Sequence, residues 1–354
     1  MKIYNSFKLP YDDLKHIDYS LGVNSEAFRN SRVLITGASG FFGMLMLESL
    51  IWLNITKSLN MDLHVVVRNT QKYKKIINAW IDSHIYIIEG DLSILKFDHF
   101  AYKYIIHLAS EAIKPDDKAS FFSHMNKSVS AANNLINLAK NCETDSILFT
   151  SSGAVYGDYL NTYSPNFTFL ENIKSSEDVF NEKAVYSETK RYLELLFSTA
   201  STNFNFKVKI ARCFSFVGPY LPLNSNYAIG NFILDVIKGR NILINGDGKS
   251  LRSYLYTSDL IIYLLLILIK GRPNIPYNVG SSEFYSIRKI AELVQKYSAQ
   301  KSNVHVLNIL KNSGAGNHYI PSLKNIKEDF EFNEIITLEK AIIKTIEWNK
   351  IHNT

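Results

Sequence analysis

The chain has 354 residues, 46% of them apolar and 20% charged, with a formal net charge of +6. That length suits two lobes better than one, and the composition is that of an ordinary globular protein. The charge is modest and no dense Lys/Arg block stands out, which argues against a nucleic-acid surface. With only Cys142 and Cys213 there is no disulfide framework to read, and a reducing, cytoplasmic compartment fits best.

The N-terminus does not read as a signal peptide, because Lys2, Asn5, Ser6 and Lys8 interrupt any apolar core. Residues 1–30 precede the first strand, and the spacing of Leu14, Ile17 and Leu21 predicts a short amphipathic helix that packs on the body or serves as an oligomer arm. The organising stretch follows. An apolar run, Val33-Leu34-Ile35, meets Thr36-Gly37-Ala38-Ser39-Gly40-Phe41-Phe42-Gly43 and then a helical pattern over Phe41 to Leu53. Strand, glycine turn and helix in that order form a dinucleotide-binding unit. Its glycines turn the chain, admit a pyrophosphate and let the helix pack close to the strand. Backbone N–H groups of Gly37, Ser39, Gly40, Phe41, Phe42 and Gly43, at the positive end of the helix dipole, are the expected phosphate ligands.

Leu63 to Val67 reads as a second buried parallel strand. Arg68 follows it directly with no acid at the strand end, which leans towards NADP over NAD, since an arginine there can pair with a 2′-phosphate. Ile85 to Leu92 reads as a third strand and turn, placing the Asp91 carboxylate near an adenine amino group with Leu92 beside it. Tyr104 to Ser110 reads as a fourth strand whose end, Leu108-Ala109-Ser110, lets backbone approach the cofactor. His107 inside it is read as a core histidine rather than a catalytic one. Val129 to Lys140 is an expected helix and Ser146 to Ser152 a fifth strand. This alternation implies right-handed βαβ units and a Rossmann-like, doubly wound parallel sheet in an α/β protein. Leu260 to Ile269 is too short to span a bilayer and is expected to be a buried helix, so no membrane attachment is anticipated.

Ligands of such sheets lie beyond the carboxyl ends of the strands. There the fifth strand ends in Ser151-Ser152-Gly153-Ala154-Val155-Tyr156-Gly157, and downstream lies Tyr186-Ser187-Glu188-Thr189-Lys190. Tyr186 and Lys190, four apart, share one helix face. An ammonium beside a phenol favours the phenolate and brings its pKa down from about 10 towards working pH. With a serine hydroxyl donating to the reacting oxygen, this pair can move a proton to or from a sugar hydroxyl while hydride moves to or from a nicotinamide.

On these residues the sequence resembles the extended short-chain dehydrogenase/reductase family, in its nucleotide-sugar epimerase/dehydratase branch. Thr36 to Gly43 is similar to its T-G-x-x-G-F-x-G turn, Ser151 to Gly157 to its S-S-x-x-V-Y-G segment, and Tyr186 to Lys190 to its Y-x-x-x-K pair. The likeness continues through Ala211 to Pro219, Gly230 to Ile233, Gly246-Asp247-Gly248, Arg252 and Tyr256 to Asp259, and so covers roughly residues 31 to 350. It implies a catalytic trio of Ser152, Tyr186 and Lys190, of which Tyr186 and Lys190 also touch an NAD or NADP cofactor. It further implies a nucleotide-diphosphate sugar held by Asn231 and Arg252, with Tyr156 lining the sugar pocket. By the same likeness, residues 31–212 would form the dinucleotide domain and 213–354 mainly a smaller substrate-binding lobe, some of whose elements return to the first domain. In that lobe the expected elements are a helix at Ile229 to Lys238, a strand at Asn241 to Asn245, and helices at Ser322 to Asp329 and Leu338 to Trp348. A homodimer through Val129 to Lys140 and Tyr186 to Ser198 is implied too, and no metal is called for.

Departures from the pattern narrow the chemistry. Members that dehydrate the sugar carry Asp-Glu straight after the strand-end Thr/Ser, and decarboxylating members carry a Glu two positions before the V-Y-G tyrosine. Here Gly153 and Ala154 stand in those places. Ser128 and Ser215 stand where the family usually has Asn. Elimination needs a general acid for the departing hydroxyl, so the expectation is an epimerase, most simply a 4-epimerase, working through a transient keto-sugar in surface polysaccharide or deoxysugar biosynthesis. The alternatives are an NADPH-dependent keto-sugar reductase, a dehydratase or decarboxylase, and a non-catalytic dinucleotide-binding protein.

Overall fold

The computed structural model describes residues 7–71, 73, 84–97, 100–110, 118–157, 167–175, 178–225, 227–299, 302–307, 318–331 and 334–352. Asn226 of the loop before the Ile229 helix, and the first six residues, lie outside that set. The chain divides into two compact units, one made of 1–157, 175–212 and 261–277 and the other of 158–174, 213–260 and 278–354.

In chain order the first unit contains α1 (Tyr11–Leu21), β1 (Arg32–Thr36), α2 (Phe41–Lys57), β2 (Asp62–Val67), β3 (Ile85–Glu89), β4 (Tyr104–His107), α3 (Lys118–Asn141), β5 (Ser146–Ser152), α4 (Val185–Asn203) and β6 (Lys207–Cys213). The helix α5 (Thr257–Lys270) and the strand β7 (Pro276–Val279) come later in the chain. Seven strands form one parallel sheet in the order β7-β6-β5-β4-β1-β2-β3. β1 sits between β2 and β4, with Val33 opposite both Leu63 and Tyr104. Successive strands thus run first one way from β1 and then the other, and this reversal opens the crevice beyond the carboxyl ends of β1 and β4.

Strand alternation sends Leu34, Ile105, Ile147 and Phe149 to one face of the sheet, where they pack with Leu135 and Ala139 of α3 and Leu193 and Phe197 of α4. α2 is different, because every residue from Gly43 to Asn54 is buried. A helix that is apolar all round must be covered on all sides, and the N-terminal segment supplies part of the cover. Phe7 and Tyr11 set their rings edge-on to Trp52 at 5.7 and 5.6 Å. The fully buried Glu48 carboxylate accepts from the N–H groups of Lys8 and Leu9 at 3.0 and 2.8 Å. Leu14, Ile17 and Leu21 form the buried stripe of α1, so the spacing that predicted this helix is also what docks it. The apolar 260–269 run lies within α5, buried from Leu260 to Leu268 with Ile269 half-buried. No helix among the described residues is long and apolar enough to cross a membrane.

The second unit is built from short pieces. Strand Leu255–Tyr256 pairs in parallel with Phe216–Val217, Phe284–Ser286 antiparallel with Leu251–Ser253, and Val304–Val306 in parallel with Ile242–Ile244. Helices cover Ala228–Ile237, Ile287–Gln295, Lys324–Asp329 and Leu338–His352. Asn278, fully buried, donates from its side-chain amide to the carbonyls of Phe169 and Ser322 at 2.6 and 3.1 Å. It thereby ties together three stretches far apart in sequence.

Candidate active site at the carboxyl ends of the parallel strands

The glycine turn is closed by its own backbone. Gly37 has φ +72°, and a Cβ there would stand 2.6 Å from the backbone nitrogen of Ala109, so this position both turns the chain and admits the end of β4. A Cβ on Gly43 would stand 2.1 Å from the Gly37 carbonyl oxygen; that glycine seats α2 against the turn. Gly40 is extended (ψ 179°), donates from its N–H to the Gly37 oxygen at 3.0 Å, and forms the N-cap of α2. No side chain caps this helix and no acid stands in its first turn. An uncapped helix start with its partial positive charge is suited to an anionic group such as a dinucleotide diphosphate.

Around the turn the strand ends present polar groups. Arg68 is exposed directly after β2. The Asp91 carboxylate accepts from the Ser93 hydroxyl and N–H at 2.7 and 2.9 Å. These two bonds hold its pKa below the usual range, with Lys127 and Arg68 adding their charges. Leu92 is buried in the core, and the Asn134 amide donates to its carbonyl at 3.0 Å. Leu108 and Ala109 are half-buried and Ser110 is exposed; the Leu108 N–H donates to the Thr36 carbonyl at 3.2 Å.

Ser152 ends β5 and caps a short 3-10 turn, Gly153–Tyr156, its hydroxyl oxygen accepting from the Ala154 N–H at 3.1 Å. As acceptor in that bond, the hydroxyl keeps its own hydrogen to donate. Tyr186 and Lys190 lie on α4. The Lys190 ammonium donates to the Thr150 carbonyl at 2.9 Å and lies 5.1 Å from the Phe149 ring centroid and 6.0 Å from that of Tyr186. Two further bonds run across the strand ends. The Thr150 hydroxyl donates to the His107 carbonyl at 3.0 Å, and the Thr36 hydroxyl shares a hydrogen bond with His107 Nδ1 at 2.8 Å. Burial, reinforced by the Lys190 charge, pushes His107 down to about 3, so it is neutral at any working pH and stacks on Phe149 at 5.7 Å. The core reading of His107 therefore holds.

Tyr156 is 1% exposed, and its phenol oxygen accepts from Arg212 Nη1 at 3.0 Å. Arg212, at the end of β6, also grips Glu194 of α4 in a two-pronged pair at 3.0 and 2.7 Å. Burial alone would lower the Arg212 pKa, but the bonds and charge of Glu194 raise it above its ordinary value. Sequence reasoning assigned no role to Glu194, Thr150 or His124 of α3, whose ring lies 5.9 Å from that of Tyr186. For Glu194 a signal existed: residues 186, 190 and 194 are spaced by four, one face of one helix. Thr150 acts through its backbone and His124 comes from another helix, so neither left a local trace.

Asn231 and Arg252 belong to the second unit. The Asn231 amide donates to the Ser225 carbonyl at 2.9 Å and accepts from its N–H at 3.4 Å, folding the 222–225 loop onto its helix. Arg252 donates to the Leu251 carbonyl at 2.9 Å and lies 5.9 Å from the Tyr319 ring centroid; burial pushes its pKa down.

Comparison with known proteins places these features. A UDP-glucuronic acid decarboxylase 1 from Danio rerio is 25% identical over 321 residues, covering 90% of this chain and 72% of that one. Among solved structures, a UDP-N-acetylglucosamine 4-epimerase from Methanobrevibacter ruminantium M1 superposes with TM-score 0.77 at 21% identity, over 92% of this chain and all of the other. A dTDP-glucose 4,6-dehydratase from Bacillus anthracis, solved with NAD, gives 0.72 at 16% identity, over 91% of this chain and 97% of the other. The family model described as the NAD dependent epimerase/dehydratase family matches residues 33–280. That span runs from the first strand of the sheet through its last, and this chain belongs to the NAD-dependent epimerase/dehydratase family.

Proposed function

We propose that the protein is a nucleotide-sugar epimerase that oxidises one sugar carbon and reduces it again on the opposite face. The observation that carries this reading is the turn after β5. Ser152 is followed by Gly153 and Ala154, and the Ala154 N–H closes onto the serine, so the two positions that would carry an acid in dehydrating or decarboxylating relatives carry none. The cradle at Gly37–Gly43 fits a dinucleotide diphosphate, and in this reading Arg68 and Asp91 meet its adenosine end. A bound nicotinamide supplies a reversible hydride acceptor. On the protein side, Tyr186 takes the proton of the sugar hydroxyl and later returns it, and Ser152 donates to the reacting oxygen. Lys190, fixed on Thr150, stabilises the phenolate. Asn231 and Arg252 hold the diphosphate of the substrate, for which a guanidinium is well matched.

A second reading, a keto-sugar reductase consuming NADPH, is favoured by Arg68 alone. Incubation with UDP-, GDP-, CDP- and dTDP-sugars, UDP-glucuronic acid included, separates the possibilities. Epimerisation without added nicotinamide supports the first reading, and stoichiometric NADPH oxidation supports the second. Release of carbon dioxide from UDP-glucuronic acid, or full activity in Tyr186→Phe, sinks the proposed chemistry. The same reading makes the protein a homodimer through α3 and α4, where Phe122, Met125, Tyr192 and Leu195 are exposed at 74, 40, 49 and 65%; a monomer mass by light scattering removes that part.

A further inference from the structure

α4 carries three ionisable side chains along one face at intervals of four: Tyr186, Lys190 and Glu194. Lys190 and Glu194 are 5% and 9% exposed, so solvent screens their charges little. A glutamate one turn from a lysine on the same face ordinarily pairs with it. Here that does not happen in the usual way, because Arg212 reaches across from β6 and occupies both carboxylate oxygens at 3.0 and 2.7 Å. The Lys190 ammonium instead rests on the Thr150 carbonyl at 2.9 Å, 6.0 Å from the Tyr186 ring. The third arm of Arg212 goes to the phenol of Tyr156.

We propose that Arg212 is a positioning residue for the Tyr186 phenol: by engaging Glu194 it leaves the Lys190 ammonium on Thr150 and gives the row a surplus of one positive charge. The charge count makes the point. Lys190 and Arg212 contribute two positive charges and Glu194 one negative, and a net +1 beside a phenol favours the phenolate. Without Arg212 the row sums to zero, and the ammonium has a carboxylate to turn towards. The other titratable groups facing this row are His107 of β4, which stays neutral above about pH 3, His124 of α3 beside the Tyr186 ring, and Tyr156 on Arg212. His107 and His124 are common to every variant below, whereas the Tyr156 phenol loses its Arg212 donor in both Arg212→Gln variants. The inference rests on the reading of Tyr186 as the proton-transfer group, but its test needs no substrate.

The test is the ultraviolet difference titration of Tyr186. Since the chain has 21 tyrosines, each protein is measured against its own Tyr186→Phe partner, which isolates the one phenolate. Arg212→Gln is expected to raise the Tyr186 pKa by about one unit, a tenfold loss of phenolate at a given pH. Glu194→Gln, which leaves two positive charges, is expected to lower it by a similar amount. Arg212→Gln with Glu194→Gln restores a net +1 and is expected to return the pKa to within a few tenths of the native value. A merely structural ion pair predicts something else: both single variants moving the same way, and the double variant at least as far. Either result, or an unshifted Arg212→Gln, overturns the proposal. Should Arg212→Gln not fold, the sign of the Glu194→Gln shift decides alone. Failure of the epimerase reading shows separately, as turnover surviving in Tyr186→Phe.

Discussion

Gly43→Ala is the sharpest probe of the dinucleotide cradle. A methyl group at that position would sit 2.1 Å from the Gly37 oxygen and 2.5 Å from Ala38 Cα, both backbone atoms, so no side chain can rotate away. Ordinary contact begins near 3.4 Å, and the start of α2 therefore has to withdraw by roughly 1 Å or the turn has to open. Overpacking of this kind costs about 1–3 kcal/mol. Helix withdrawal also lengthens every hydrogen bond from the first turn of α2 to a bound diphosphate. At about 1.4 kcal/mol per factor of ten, NAD affinity should fall roughly 10- to 100-fold, measured by calorimetry or by quenching of intrinsic fluorescence. Gly246→Ala is the matched control, since nothing lies within 4 Å of its added methyl. Unchanged NAD affinity in Gly43→Ala, or an equal loss in Gly246→Ala, refutes the reasoning that close packing of helix on turn makes the phosphate site.

His107 and His64 are both neutral in the folded chain, pushed down to about 3 and about 4, chiefly by burial. An unfolded histidine takes its proton near pH 6.5 while these do not, so their effect on stability is absent above that pH. Below it the folded state loses stability as pH falls towards the folded values, by up to about 1.4 kcal/mol per pH unit for each group. Proton NMR of the histidine rings should show both neutral at pH 5; titration of either near 6.5 contradicts their burial, at 3% and 4% exposed for His107 and His64. Glu48→Ala removes the acceptor shared by the Lys8 and Leu9 N–H groups, and a hydrogen bond to a buried charged group is worth about 1.5–3 kcal/mol. The segment before α1 should then become sensitive to limited proteolysis with the sheet intact, and an unchanged cleavage pattern would show that aromatic packing on Trp52 suffices.

The first unit was legible because its signals are local. Strand β5 runs over the very residues its apolar run predicted, and the turn after β1 was readable from three glycines whose spacing serves backbone geometry alone. α2 extends to Lys57, four residues past the predicted end at Leu53, and α3 begins eleven residues before the predicted Val129. In both cases the helix continues through partly exposed residues whose apolar spacing is too weak to mark it. In the second unit the strand Ile242–Ile244 falls inside the predicted Asn241–Asn245, but other strands of two or three residues, such as Phe216–Val217, Leu251–Ser253 and Phe284–Ser286, were not foreseen. Each is too short to show a period of two, and each exists only because a distant partner supplies its hydrogen bonds.

The same distinction governs what can be inferred about the reaction. In the proposed reaction, proton transfer depends on Tyr186, Lys190 and Ser152, whose spacing on one helix and one strand end is written in consecutive residues. Sequence resemblance ranks a UDP-glucuronic acid decarboxylase among the relatives at 25% identity over most of the chain. By the family resemblance, the difference between decarboxylation, dehydration and epimerisation rests on one or two carboxyl groups after β5. Two residues in 354 hardly alter an identity score, yet Gly153 and Ala154 leave that turn without a carboxyl group. Global likeness and local chemistry therefore carry different information, and for the choice of reaction the second outweighs the first.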